Sequence, residues 1–251
     1  MPQGRGAAAR RTPAVVALLP LLVLWEAVGR ADLALFVPPL SRVLAVWWKL
    51  ARDGTLWKAM ATSLLALLEG YGLALLVGAP LGVLMGRYRA VQYVFDPYVN
   101  TLSSAPLSAL VPVLIAIFGV RETVVTATVF LFAVFVVLVN TMTGVKGADR
   151  SVLEMARSFG ATELQLYRKI LLPAALPAMM AGAYLGAMQA VKGMVVGEML
   201  IALVGLGERL IYYGNTFLIP QLYAVILTVV MLALAAAQLV HLADRALIRW
   251  K

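Results

Sequence analysis

The sequence predicts an all-α integral membrane protein of six transmembrane helices, with both termini on the cytoplasmic side. Three observations carry the prediction. Hydrophobic residues make up 63% of the 251 positions and charged residues 13%, against roughly 45–50% and about 25% in soluble domains. Six apolar runs approach or exceed the ~20 residues that cross a hydrocarbon core as a helix. Lys and Arg are also biased to one side of those runs. A chain so poor in polar groups cannot cover a surface facing water. A soluble enzyme, a secreted disulfide domain and a disordered protein are therefore excluded. The mean hydropathy of +0.92 agrees.

The runs fall at about 13–30, 59–86, 92–118, 122–144, 174–203 and 220–246. The first follows Arg5, Arg10 and Arg11, as a cleaved signal peptide also would. Its length, and Gly29-Arg-Ala-Asp32 in place of a small-x-small site, favour a retained span. Residues 1–12 then form a short cytoplasmic tail, and 13–251 a single membrane domain. The loop at 31–58 contains an amphipathic stretch. Val43, Leu44, Val46, Trp47 and Leu50 oppose Arg42, Lys49 and Arg52, which predicts a helix lying in the membrane interface.

In the second run Gly78, Gly82 and Gly86 recur at four-residue spacing, and Gly182 with Gly186 and Gly193 with Gly197 do so in the fifth. Lipid offers no hydrophobic drive between helices, so small residues that let backbones approach mark packing seams. The third run is interrupted by Pro106 and Pro112, near Ser103, Ser104 and Ser108. Proline removes a helix donor, which predicts a bent helix that packs closely or lines a cavity.

With the amino terminus inside, 13 of the 21 Lys and Arg residues lie in inside segments and 7 outside, with Lys192 within a span. The net charge of +9 thus reflects loops at a membrane face, not a nucleic-acid surface. There is no cysteine, and the single histidine, His241, cannot form a cluster. Neither a cofactor nor a metal site is expected. No Walker lysine, HExxH or GxSxG occurs, so no catalytic constellation is present and the chain is not expected to be an enzyme.

Ionisable residues inside spans are costly and mark function or buried pairing. Lys192 is expected to face the bundle interior or a water-filled cavity. It would either contact solute, pair with Glu69 across helices, or snorkel. Gln189 lies one turn before it. Glu198 is on a different face of the same helix. Glu69, Glu198, Lys192, Gln189, Pro106 and Pro112 are the candidates for a translocation path.

The longest inside loop, 145–173, is amphipathic. Ser151-Val-Leu-Glu154 has capping-box spacing and predicts a helix start there. Gly160 then breaks the pattern, and a second short helix from Thr162 to Ile170 leads into Leu172-Pro173. Such a helix–Gly–helix serves either as a linker or as a docking surface.

Residues Glu154 to Pro173, EMARSFGATELQLYRKILLP, resemble the EAA motif of permease subunits of bacterial ABC importers. Glu154, Ala156, Gly160, Ile170, Leu172 and Pro173 fall at the motif's spacing, with Met155 where the family has alanine. The stretches VPPLSRVLAVWWKLARDGTLW, GVLMGRYR, APLSALVPVLIAIFG and GEMLIALVGLGERL resemble the branch serving nitrate, sulfonates and taurine. The resemblance implies the type I importer permease fold in the bacterial plasma membrane. It implies a pore made with a second permease copy, ATPase subunits that carry ATP and Mg²⁺ and seat on the six motif residues, and a periplasmic or lipid-anchored binding protein. It also implies uptake of a small anion. The alternative is a secondary transporter or channel without an ATPase, using Glu69, Glu198 and Lys192.

Overall fold

The computed structural model describes residues 11–31 and 36–247, with side chains left aside at 11–18, 150 and 247. The described residues are helical almost throughout and contain no strand. In chain order they form α1 (Arg11–Arg30), α2 (Leu40–Arg52), α3 (Thr55–Arg87), α4 (Arg89–Ser104), a 3₁₀ turn (Leu107–Leu110), α5 (Val111–Phe118) and α6 (Glu122–Lys146). Then follow α7 (Arg150–Ser158), α8 (Glu163–Leu166), a π-helical turn (Tyr167–Leu171), α9 (Leu172–Ile201), α10 (Gly205–Asn215) and α11 (Ile219–Leu247).

Among the described residues four helical stretches are long and apolar enough to cross a membrane: Thr55–Arg87, Glu122–Lys146, Glu163–Ile201 and Ile219–Ala246. The bent pair Arg89–Ser104 and Leu107–Phe118 makes a fifth if it counts as one span. The first apolar run does form a helix, but its side chains up to residue 18 lie outside the description, as do residues 1–10 of the tail. Arg249 and Lys251, counted above as inside charges, also lie outside it. The expected third span, 92–118, is not one bent helix. It breaks at Ala105–Pro106 and turns through 97°. Pro106 cannot donate to the preceding turn, and Pro112 sits in the first turn of α5, where a missing N–H costs nothing.

The chain divides into two compact units. The smaller comprises residues 1–57 and 209–228. Here α2 is amphipathic as expected, with Val43, Leu50 and Ala51 buried. Its two tryptophans differ. The Trp47 indole is half-buried and donates to Thr228 Oγ1 at 3.0 Å. Trp48 is exposed, with the Arg52 guanidinium 4.9 Å from its ring centroid. The end of α1 is tied to the start of α2. Trp25 Nε1 donates to the Pro38 carbonyl at 3.0 Å, and Glu26 accepts from the Ser41 amide at 2.9 Å and its hydroxyl at 2.8 Å.

The larger unit comprises 58–208 and 229–251 and is organised around α6. Val124, Val129 and Ala133 of α6 are wholly buried. The two glycine series explain why. A Cβ at Gly82 would stand 2.6 Å from the Leu138 carbonyl oxygen, and one at Gly86 2.6 Å from Val145 Cβ. On the other helix, a Cβ at Gly182 would stand 2.6 Å from Asn140 Cβ and one at Gly193 2.9 Å from Phe132 Cβ. α3 and α9 therefore both press their glycine faces onto α6. Dispersion and close packing hold such a contact where no water is expelled. Tyr71 Oη of α3 also donates to the Ala183 carbonyl of α9 at 2.8 Å. α4 joins through Val99, which clusters with Met85 and Leu138.

Candidate functional site

The segment 145–173 lies wholly within the larger unit. Its root is fixed by a small apolar cluster, Val145, Ala148, Leu171 and Ala175, where α6 ends and α9 begins. α7 starts two residues earlier than capping-box spacing suggests. Asp149, not Ser151, is the N-cap, and its carboxylate accepts from the Ser151 amide at 2.8 Å and hydroxyl at 2.9 Å. Those two donors hold the Asp149 carboxyl below the usual carboxylate range.

Gly160 ends α7 with φ +80°. Its amide donates to the Arg157 carbonyl at 2.9 Å, and the Ala161 amide to that of Ala156 at 3.0 Å. This is a Schellman pair of bonds around a left-handed residue, and glycine takes that conformation without a Cβ penalty. The capping box occurs one helix later. Thr162 Oγ1 accepts from the Gln165 amide at 3.4 Å, while the Thr162 amide donates to Gln165 Oε1 at 2.9 Å. The π turn at Tyr167–Leu171 precedes Pro173, whose ring would crowd the carbonyl four residues back in a regular α-helix. Glu163 accepts from Arg87 of α3 at 2.8 Å and from Arg157 of α7 at 3.2 Å, so one carboxylate joins the segment to the end of a span.

Of the six motif residues, Glu154, Gly160 and Leu172 are exposed and Ala156, Ile170 and Pro173 half-buried. Sequence reasoning missed the side chains that stand out most. Phe159 is 85% exposed, Leu164 65% and Met155 54%. Val152, Met155 and Phe159 are spaced i, i+3 and i+7, one apolar stripe of α7 that the chain leaves uncovered. That spacing was available in the sequence.

The translocation candidates do not converge. Lys192 is exposed on this chain instead of facing the interior of its bundle, and among the described residues it forms no ion pair with Glu69. Glu69 is exposed too, and accepts from Thr126 Oγ1 at 3.2 Å. Gln189 is half-buried, while Pro106 and Pro112 are exposed. Glu198 alone is wholly buried, and there its Oε2 accepts from the Gly207 amide at 2.8 Å. A metal-binding group of three or more acidic or histidine residues does not occur among the described residues.

The profile of the binding-protein-dependent transport system inner membrane component family matches residues 78–249, which include the whole of this segment. The chain belongs to that family. It is a permease of the type I ABC importer class. The permease is 30% identical over 238 residues to the riboflavin transport system permease protein of Chloroflexus aurantiacus, covering 94% of this chain and 89% of that one. It is 30% identical over 203 residues to the taurine transport system permease protein of Escherichia coli, covering 78% and 74%. It is 26% identical over 238 residues to a putative aliphatic sulfonates transport permease of Bacillus subtilis, covering 93% and 86%. In fold it is similar to a chain of the inward-facing MetNI methionine ABC transporter, with TM-score 0.58 and 22% identity over 80% of this chain and 97% of that one. A second neighbour, from an amino acid ABC transporter, has TM-score 0.58 at 16% identity and covers 75% and 92%. The matched relatives are transport permeases, not enzymes.

Proposed function

We propose that the permease forms a pore with a second permease copy, and that its 145–173 segment couples ATP hydrolysis on a separate ATPase to uptake of a small anion. The observation that carries this reading is the uncovered apolar stripe of α7, with Phe159 85% exposed beside the left-handed Gly160. A bulky apolar side chain held out by a capped, rigid helix pair suits insertion into a groove on a partner. The Arg87–Glu163–Arg157 bridge supports coupling, because it ties the docking helices to the end of a span. ATP and Mg²⁺ belong to the partner, and nothing in this chain's sequence supplies a phosphate loop.

Six spans, both termini in the cytoplasm and a place in the bacterial inner membrane complete the proposal. The helix at Arg11–Arg30 would supply the first span, and the bent pair at 89–118 the third. The exposed Ser103, Ser104, Pro106 and Ser108 at the bend, with Lys192, are the candidates to face the pore between copies. A periplasmic or lipid-anchored binding protein would deliver the solute. The taurine and sulfonate relatives support an anionic solute, which the exposed Lys192 fits.

Co-purification with the ATPase from the same operon tests the reading, using the native chain, Phe159→Glu and Gly160→Arg. Retention by the native chain, with at least tenfold loss in both variants, is the expected result. A native chain that holds no ATPase yet moves solute in liposomes would overturn it in favour of a secondary transporter.

A further inference from the structure

A cavity of about 670 Å³ lies between the docking segment and the ends of α3 and α6. Its wall brings together four cations: Arg87 and Lys146, the last residues of α3 and α6, Arg89 at the start of α4, and Arg157 of α7. Against them stand Glu154 in the wall and Glu163, which Arg87 and Arg157 share. Arg89 and Lys146 form no ion pair among the described residues. The floor is apolar, with Met85 1% and Val145 3% exposed. Even with Glu163 counted, the site carries two more cations than acids, around a greasy base, at the ends of two spans.

That combination has a definite chemistry. Cations at a span end sit at the depth of lipid headgroups, and basic pockets between helices at that depth hold anionic headgroups. Arginine and lysine donate charge-assisted hydrogen bonds to phosphate oxygens, and arginine can do so in pairs. We propose that this cavity binds the phosphate of an amphiphilic anion, with an anionic phospholipid headgroup as its source. The phosphate lies between Arg89 and Lys146, whose charges are otherwise unmatched, and the glycerol and upper acyl carbons cover Met85 and Val145. The Glu163 bridge stays intact above it. The site does not depend on the ATPase reading.

The test is native mass spectrometry of the full chain in detergent, with phosphatidylglycerol and phosphatidylcholine offered in turn. The native chain is expected to retain phosphatidylglycerol at least tenfold better than phosphatidylcholine. Arg89→Gln/Lys146→Gln is expected to lower that preference at least fivefold, while Lys58→Gln, at the opposite end of α3 from Arg87, leaves it unchanged. Single Lys146→Gln serves the same purpose if the double variant does not purify. Displacement of the lipid by millimolar inorganic phosphate would keep the phosphate site and assign it a soluble source. An unchanged preference in the double variant, or an equal loss in the distant one, would overturn the proposal. So would loss of ATPase retention in the double variant with lipid binding intact, which would give these cations to the protein partner.

Discussion

Glu198 is wholly buried, and its carboxylate Oε2 accepts a 2.8 Å hydrogen bond from the backbone amide of Gly207. The chain reverses between them, through Ala202 at φ 50° and Gly205 at φ +80°. The neighbouring Leu206 amide donates to Ser63 Oγ of α3 at 2.9 Å. Any Cβ at Gly205 would overlap the Glu198 carboxylate. The acid therefore acts as a latch that fastens the turn after α9.

The latch predicts a split between two substitutions at Glu198. Glu198→Gln keeps an acceptor for Gly207 and the same volume, and it should change stability by no more than about 1 kcal/mol. Glu198→Ala strands the amide and opens a cavity, at a cost of about 2–5 kcal/mol. Thermal unfolding in one detergent compares them. A Glu198→Ala variant as stable as Glu198→Gln would sink the latch reading.

The glycines of α3 make a paired prediction. Gly82→Ala drives a Cβ against the Leu138 carbonyl and Thr141, and overpacking of this kind costs about 1–3 kcal/mol. Gly72→Ala, on the same helix, meets nothing within 4 Å, and it should be neutral or stabilise by up to about 1 kcal/mol. Melting temperatures of the two variants should move in opposite directions or differ clearly. Equal shifts would mean that α3 does not meet α6 through this face.

Helix existence was legible in the sequence because apolar period and length dictate it. So was the helix–Gly–helix, since Gly160 marks a left-handed stop. The glycine seams were legible as seams, but not the fact that both close on α6, because spacing identifies a packing face and never its partner. Pro106 and Pro112 predict a bend within one helix, and the chain instead breaks at Ala105–Pro106 and turns through 97°. Proline announces a lost donor, not how far the chain turns once the bond is gone. The cost of an ionisable group in a span points Lys192 to the bundle interior or a water-filled cavity, with Glu69 as a partner across helices. That argument concerns the lipid and the whole assembly, and it does not say which surface of one chain meets another.

Asp149 gives a pH-dependent prediction. Its folded carboxyl is held below the ordinary value by Ser151. The cap's contribution is therefore complete above the unfolded value of about 3.9 and is lost as pH falls through the lower folded value. Amide protection in α7, measured relative to the intrinsic exchange rate at each pH, should fall severalfold over that acid range. Asp149→Asn should abolish the pH dependence while keeping the cap, and Asp149→Ala should raise exchange at neutral pH. A flat profile in the native chain would show that the cap is not formed in the membrane-bound protein.

Lys192 and Glu69 supply the sharpest separation of roles. They form no ion pair in the described structure, so Lys192→Met and Glu69→Gln should add in stability within about 0.5 kcal/mol. Lys192→Met alone should fold normally, because an exposed side chain with no ion partner leaves nothing unpaired behind it. Its effect should appear instead in transport, as weaker uptake of an anionic solute with the fold intact. A coupling above about 1 kcal/mol in the double-mutant cycle would place the two residues in contact after all. Normal uptake with an unchanged solute preference in Lys192→Met would remove Lys192 from the translocation path and leave the exposed serines around Pro106 as the polar surface to examine.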